Sequence, residues 1–286
     1  MRIKEYRNIF ISELVPLYDP MEAENFFALL LEAYQSMKRI DLALNPDAEF
    51  SAVQMEKWDR AVEKLKEEVP IQYIIGKTYF CGLDFEVNQN VLILRPETEE
   101  LVDWISKNLI IQKSKNVKIL DIGTGSGCIA ISLAKLNPHC EVDAFDISKD
   151  ALSVAKKNAH LNKTNVNFRQ SDILNITSLG GKYDIIVSNP PYVRMLEKHE
   201  IKKNVLEYEP HLALFVEDDD ALLFYRKIAD LAIAENFNCV IYFEINQYLA
   251  DQLTELFRNK GFQNIELKKD IYGNNRMMRC EFKIYS

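Results

Sequence analysis

Apolar positions in the first 75 residues recur at intervals that suit helices. Ile9, Leu14 and Leu17 form one such run, and Phe26, Phe27, Leu29, Leu30 and Ala33 form a second. Asp19-Pro20 predicts a helix start, with Glu22 and Glu24 in the first turn, where the helix dipole favours acids. Ser51, after Phe50, predicts another N-cap, followed by Val53, Met55, Trp58, Val62 and Leu65 on one side and closed by Pro70. The period then shortens. Tyr79 to Val87 has strand-forming residues around a turn at Gly82, which predicts a hairpin. Arg95-Pro96-Glu97-Thr98-Glu99-Glu100 starts a helix that runs to about Leu109.

From Val117 onward strands and helices alternate. Strands are predicted at 117–121, 141–146, 166–168, 184–188 and 239–244, with helices at about 127–136, 149–161, 221–234 and 249–259. Two closing strands are predicted at 265–267 and 278–284. This is the pattern of an α/β fold with a doubly wound sheet, whose ligands bind at the carboxyl ends of the strands. Three segments follow: a helical domain at 1–76, a β-hairpin connector at 77–93 and the doubly wound domain at 94–286.

Composition narrows the function classes. At 48% hydrophobic and 27% charged residues, the 286-residue chain has enough apolar content for a sizeable core. Asp plus Glu is 43 against 35 for Lys plus Arg, a net charge of -8, so no basic excess for gripping duplex phosphates is present. The acidity concentrates in residues 1–76, with nine basic and fourteen acidic side chains. These are either solvated helix faces or a docking surface for a basic partner. No apolar run is long enough to span a bilayer and the N-terminus lacks a signal-type apolar region, so neither membrane nor secretion is expected. The five cysteines are odd in number and form no CxxC pair, and the four histidines are dispersed. A reduced, cytoplasmic protein without a metal site is expected.

The chemistry gathers at predicted strand ends. The first strand of the α/β part runs into Asp121-Ile122-Gly123-Thr124-Gly125-Ser126-Gly127, whose glycines let ligand atoms approach the backbone. The second ends at Asp146, 23 residues after Gly123, where an acid can accept both hydroxyls of an adenosine ribose; NAD and S-adenosylmethionine both satisfy this. After the third, Asp172 could accept from the amine of adenine and Ile173 could cover its ring, unless both simply cap a loop. The fourth ends in Ser188-Asn189-Pro190-Pro191-Tyr192. Two prolines supply no N–H, which leaves the Pro190 carbonyl as an acceptor beside the Asn189 side-chain oxygen. Together they can hold the two hydrogens of a planar NH2 group, with Tyr192 against its face.

These motifs resemble a class I (Rossmann-like) S-adenosylmethionine-dependent methyltransferase acting on an amino or amide nitrogen. Pro70-Ile-Gln-Tyr-Ile-Ile-Gly76, the Phe80, Gly82, Phe85, Val87 pattern and Val91-Leu-Ile-Leu-Arg-Pro-Glu-Thr-Glu99 are similar to the protein-(glutamine-N5) methyltransferases. The helical N-terminus points to their peptide chain release factor branch. The resemblance implies S-adenosyl-L-methionine as cofactor, S-adenosyl-L-homocysteine as product, and the glutamine of a Gly-Gly-Gln loop in class 1 release factors as substrate. It implies a cofactor site lined by Gly123, Thr124, Gly125, Ser126, Gly127, Asp146, Asp172, Ile173 and Asn189. Asn189, Pro190, Pro191 and Tyr192 would bind the substrate, with Asn189 and Pro190 in the catalytic role. Arg95, Glu97 and Thr98 either border the cleft or serve as a helix start. Neither a nucleic-acid nor a membrane partner is implied, and a monomer is expected. The alternatives are a ribosomal-protein glutamine methyltransferase and an adenine-N6 nucleic-acid methyltransferase, which also uses Asn-Pro-Pro-Tyr. The chain departs from the family pattern at Leu94, at Phe215 to Ala221 after a Glu-Pro dipeptide, and at Asn246, where the family has glycine.

Overall fold

The computed structural model describes residues 1–112 and 116–284. They divide into two compact units, one of Met1–Gly76 with Lys203–Tyr208 and one of Lys77–Lys202 with Glu209–Ser286.

The first unit holds helices α1 (Ile3–Leu14), α2 (Pro20–Gln35), α3 (Arg39–Leu44), α4 (Ala52–Lys66) and α5 (Ile71–Ile75). Asp19 caps α2 by accepting from the Met21 and Glu22 amides, and Ser51 with Gln54 forms a reciprocal capping box on α4. Trp58 is the centre of the core. Its ring lies 5.0 to 6.0 Å from those of Tyr6, Phe10, Phe27, Tyr34 and Phe50. The buried stripe of α1 is Ile3, Tyr6, Phe10 and Leu14, whereas Ile9 and Leu17 are exposed. The expected stripe was turned by about one residue, because the large aromatics Tyr6 and Phe10 choose the face and α1 stops before Leu17. For the same reason Phe27, Leu30 and Leu31 are buried while Leu29, Ala33 and Val53 face solvent. Pro70 does not close α4. That helix ends at Lys66, Glu68 turns the chain at φ 61°, and Pro70 begins α5 instead. The short helix Lys203–Tyr208 joins this unit through Lys203 Nζ on Glu68 at 2.9 Å and Tyr208 Oη on the Glu67 carbonyl at 2.7 Å.

In the second unit β1 (Lys77–Phe80) and β2 (Leu83–Glu86) form the hairpin, turned by Cys81 and Gly82 at φ 48° and 81°. Two successive positive φ values are those of a tight two-residue hairpin turn. After α6 (Pro96–Gln112) come β3 (Lys118–Ile122), α7 (Cys128–Leu136), β4 (Glu141–Asp146), α8 (Lys149–Asn162), β5 (Asn167–Gln170) and β6 (Ile185–Ser188). A run of short pieces follows, β7 (Val193–Arg194), α10 (His211–Leu214) and β8 (Phe215–Val216), interrupted in sequence by α9 (Lys203–Tyr208), the short helix of the first unit. None of these was predicted, since each is too short to show a period. The chain closes with α11 (Leu223–Ala234), β9 (Cys239–Glu244), α12 (Ala250–Asn259), β10 (Gln263–Lys269) and β11 (Asn275–Phe282).

The main sheet has seven strands in the order β10-β11-β9-β6-β3-β4-β5, and only β11 runs antiparallel to its neighbours. The chain moves outward from β3 to β5, then returns to the other side of β3 at β6. That reversal is the topological switch point. Asn158 and Asn162 of α8 bind the hairpin to this unit: Asn158 accepts from the Glu86 amide and donates to its carbonyl, and Asn162 donates to the Asp84 carbonyl.

Trp58→Ala removes the residue on which five rings converge. The helical unit should lose about 3–5 kcal/mol in chemical denaturation followed by circular dichroism, whereas Val53→Ala on the exposed side should change stability by about 0.5 kcal/mol or less.

Candidate active site

Strand register puts the predicted strand ends on one edge. Ile122 of β3 pairs with Phe145 of β4 and with Ser188 of β6, and Ser188 pairs with Phe243 of β9. The glycine turn, Asp146, Asn189 and Glu244 therefore lie at the same carboxyl edge. Ser188 Oγ donates to the Ile122 carbonyl at 2.7 Å, joining the strand before Asn-Pro-Pro-Tyr to the strand before the glycine turn.

The turn itself is held from both sides. The Gly123 and Thr124 amides donate to the Phe145 carbonyl, and the Gly125 amide donates to Asp146 Oδ2 at 2.8 Å. Asn158 Nδ2 supports the Ser126 carbonyl from behind at 2.9 Å. Gly123, Gly125 and Gly127 all have positive φ, yet their surroundings differ. A Cβ on Gly123 or Gly125 would meet nothing within 4 Å, while one on Gly127 would lie 2.8 Å from Ile131 Cδ1 and 3.1 Å from Ala155 Cβ. Gly127 is thus required by the packing of α7 against α8, and the other two leave open space beside the backbone.

Asp121 is fully buried. Its Oδ2 accepts from Thr124 Oγ1 at 2.6 Å and from the Ala130 amide at 3.2 Å, while Oδ1 has no partner among the described residues. Burial pushes its carboxyl up to about 7, against the pull of those two bonds. Asp146 Oδ1 accepts from the Ser148 amide at 2.8 Å, and burial raises its pKa as well. Beside it the Ser171 hydroxyl is a second buried polar group without a partner among the described residues. Asp172 caps its own loop, taking the Leu174 amide on Oδ1 and Asn175 Nδ2 on Oδ2. Each oxygen keeps a further lone pair. Ile173 is buried among the core residues on the face of the sheet that includes Phe145 and Ile122.

At β6, Pro190 is buried and Asn189, Pro191 and Tyr192 are half-buried. No described residue donates to the Pro190 carbonyl or to Asn189 Oδ1. Asn189 Nδ2 faces Thr98 Oγ1 at 3.4 Å, Thr98 Oγ1 donates to Glu244 Oε2 at 2.6 Å, and Tyr192 Oη donates to Glu244 Oε1 at 2.9 Å. Of Arg95, Glu97 and Thr98, it is Thr98 whose side chain bonds to the Asn-Pro-Pro-Tyr turn among the described residues. Arg95 is an anchor: it pairs with buried Glu209 at 2.5 Å, and Glu209 also accepts from the Ile93 amide.

The departures find partners too. Asn246 donates to the Tyr192 carbonyl at 3.0 Å and to Glu197 at 2.8 Å, which fastens the turn after β6 to the end of β9. Asp218 accepts from the Leu196 amide and Asp220 pairs with Arg226. Leu94 packs against the core on the α6 side of the sheet. Sequence reasoning missed Asn158, Asn246 and Glu244 as parts of the site. Glu244 carried one usable signal, an acid at the end of an apolar strand, where a buried carboxylate needs a purpose.

Sheet order, glycine turn and Asn-Pro-Pro-Tyr together define a class I S-adenosylmethionine-dependent methyltransferase. The methyltransferase small domain family matches residues 98–211, and the PrmC N-terminal domain family matches residues 19–76. The chain is similar to the release factor glutamine methyltransferase of Flavobacterium psychrophilum, at 56% identity over 99% of this chain and 100% of the relative. The enzyme of the same name from Bacteroides thetaiotaomicron is 41% identical over 93% of this chain and 95% of its own. On these matches the chain belongs to the release factor glutamine methyltransferase family. Among solved structures, the hMettl16 catalytic domain in complex with MAT2A 3'UTR hairpin 6 has a TM-score of 0.55 at 18% identity, over 72% of this chain and 77% of that one, a likeness of fold alone.

The residues present fit a cofactor of this class. Asp121 Oδ1 and Ser171 Oγ are buried polar atoms without protein partners among the described residues, and the space beside Gly123 and Gly125 is clear. Among the described residues no group of three or more His, Cys, Asp or Glu side chains is placed to hold a metal ion, and no helix is long and apolar enough to cross a membrane.

Two glycine variants separate packing from ligand space. Gly127→Ala should destabilise the second unit by about 1–3 kcal/mol, read by thermal melting. Gly125→Ala should melt closer to the native protein yet lose S-adenosylmethionine affinity in calorimetry. A second test uses pH. An acid whose folded pKa is raised favours folding in its protonated form, so its contribution is full below about 4 and is lost as pH climbs to about 7. The melting temperature of the native chain, relative to Asp121→Asn, should fall across that window and level off above it.

Proposed function

We propose that this chain transfers a methyl group from S-adenosyl-L-methionine to the side-chain amide nitrogen of the glutamine in the Gly-Gly-Gln motif of class 1 peptide chain release factors. The observation that carries this reading is the pair of open acceptors, Asn189 Oδ1 and the Pro190 carbonyl, at the switch point beside the glycine turn. Its substrate is taken from relatives named release factor glutamine methyltransferase.

In this reading Gly123 to Gly127, Asp146, Asp172, Ile173 and Asn189 hold the cofactor. Asp146 takes the ribose hydroxyls on lone pairs left after its bonds to Gly125 and Ser148. When bound, S-adenosylmethionine supplies a methyl group on a positively charged sulfur, an electrophile for direct displacement. An amide nitrogen is a weak nucleophile because its lone pair is delocalised into the carbonyl. Asn189 and the Pro190 carbonyl accept its two hydrogens and orient the nitrogen, and those bonds strengthen as the nitrogen becomes positive. Tyr192 and Pro191 pack the amide plane. Held so by Asn189 and Pro190, the nitrogen would take the methyl group that the cofactor would supply, the electron pair of the broken S–C bond leaving with sulfur. The alkylated amide is then strongly acidic and releases its proton to solvent, so no dedicated base is assigned.

The helical unit, residues 1–76, serves as the docking part for the release factor, its acidic surplus steering a basic partner. The protein acts as a cytoplasmic monomer on a protein, with no nucleic-acid partner. The net charge of -8 supports that choice over an adenine-N6 substrate.

Intact-peptide mass spectrometry of a class 1 release factor, after incubation with the enzyme and S-adenosylmethionine, tests the proposal. One added methyl on the glutamine of Gly-Gly-Gln is the expected result. An unmodified glutamine with cofactor bound would move the substrate to a ribosomal protein or a nucleic acid. Asn189→Ala should lower kcat by about 10²-fold or more with an unchanged circular dichroism spectrum.

A further inference from the structure

An asparagine amide has two faces of opposite polarity, and only one of them grips an NH2 group. The polarity of Asn189 is settled outside Asn-Pro-Pro-Tyr. Glu244, 1% exposed at the end of β9, accepts on both oxygens: Thr98 Oγ1–H on Oε2 at 2.6 Å and Tyr192 Oη–H on Oε1 at 2.9 Å. The single hydroxyl proton of Thr98 is therefore committed to Glu244, and the rest of that oxygen can only accept. Asn189 meets it at 3.4 Å and must present Nδ2, because Oδ1 there would set two lone pairs against each other. The contact is long, as such bonds often are before substrate tightens the site. Oδ1 is therefore turned away from Thr98 and left as an acceptor.

We infer that Thr98 and Glu244 are positioning residues that fix the polarity of the Asn189 amide, and that this relay makes the site select a side-chain NH2 group over a carboxylate. The inference rests on the glutamine reading above. Glutamine offers two N–H groups to two acceptors. Glutamate, nearly the same shape, offers oxygens to the same acceptors and is repelled. Without the Thr98 hydroxyl the Asn189 amide is free to turn over, and discrimination falls together with turnover. Glu244 holds Tyr192 as well as Thr98, so its loss affects two walls of the site rather than one.

The test compares the native chain, Thr98→Val, Thr98→Ser and Glu244→Gln on Gly-Gly-Gln peptides, with the matching Gly-Gly-Glu peptide as competitor. Thr98→Val should lower kcat about tenfold. The Glu peptide should inhibit this variant several-fold better, relative to the Gln peptide, than it inhibits the native enzyme. Thr98→Ser keeps the hydroxyl and should restore both values. Glu244→Gln has one acceptor oxygen for two hydroxyls: it either donates to Thr98 and reverses the relay or turns its NH2 to Tyr192 and costs that hydroxyl its acceptor, and it should also lower kcat. Loss of stability alone would not alter the choice between Gln and Glu. Native turnover with unchanged Gln-over-Glu preference in both Thr98→Val and Glu244→Gln would overturn the inference and leave the proposed function standing. A native enzyme that methylates no Gly-Gly-Gln glutamine would remove the reading beneath it.

Discussion

The site depends first on the register between β3 and β6. Those neighbours are far apart in the chain, and they carry the two turns from which the site is built. Ile122 opposite Ser188, with the Ser188 hydroxyl on the Ile122 carbonyl, sets the glycine turn and Asn-Pro-Pro-Tyr side by side. In a parallel pair a slip of one residue would turn every side chain to the other face. Ile119, Leu120, Ile185, Ile186 and Val187 are buried on the two faces of β3 and β6, so a slip would misfit close-packed side chains of different shape on both faces. The placement of polar groups at the edge is thus enforced by the apolar groups within.

That edge concentrates carboxyl groups where carboxyl groups are costly. Asp121, Asp146 and Glu244 all have raised pKa values, and in each case burial is the main cause. Donors offset the cost unevenly. Glu244 has one side-chain hydroxyl on each oxygen, and Asp146 has a backbone amide on each. Asp121 is satisfied on one oxygen only. The least satisfied acid, Asp121, lies at the start of the glycine turn. Glu244, with a donor on each oxygen, lies behind the Asn-Pro-Pro-Tyr turn and holds Thr98 and Tyr192.

Asparagine has a parallel role across the second unit. Asn158 meets both backbone groups of Glu86 and the Ser126 carbonyl, so the hairpin and the glycine turn share one buried amide. Asn246 ties the Tyr192 carbonyl to Glu197. Each amide bridges segments that sheet pairing does not join. Such bridges suit a site made of turns, because backbone at a strand's end has lost its ladder partners and needs others. They also explain why glycine is dispensable at position 246: the side chain there is used rather than merely accommodated.

The sequence by itself determined the alternation of strands and helices, the hairpin at Gly82, the caps at Asp19 and Ser51, and the place of Asn-Pro-Pro-Tyr at a strand's end. These are local. A period, a cap or a pair of prolines acts over a few residues, and the chain displays them directly. Tertiary structure decided which face of α1 is buried, since Tyr6 and Phe10 follow Trp58 of another helix. It also decided that Pro70 opens a helix, and it built the short pieces between Tyr192 and Ala221 that have no period to read. Above all it decided what stands behind Asn189. Thr98 is 91 residues from Asn189 and 146 from Glu244, and no spacing rule connects positions so remote. A hydrogen bond acts over about 3 Å, and only the folded sheet brings those three side chains within its reach.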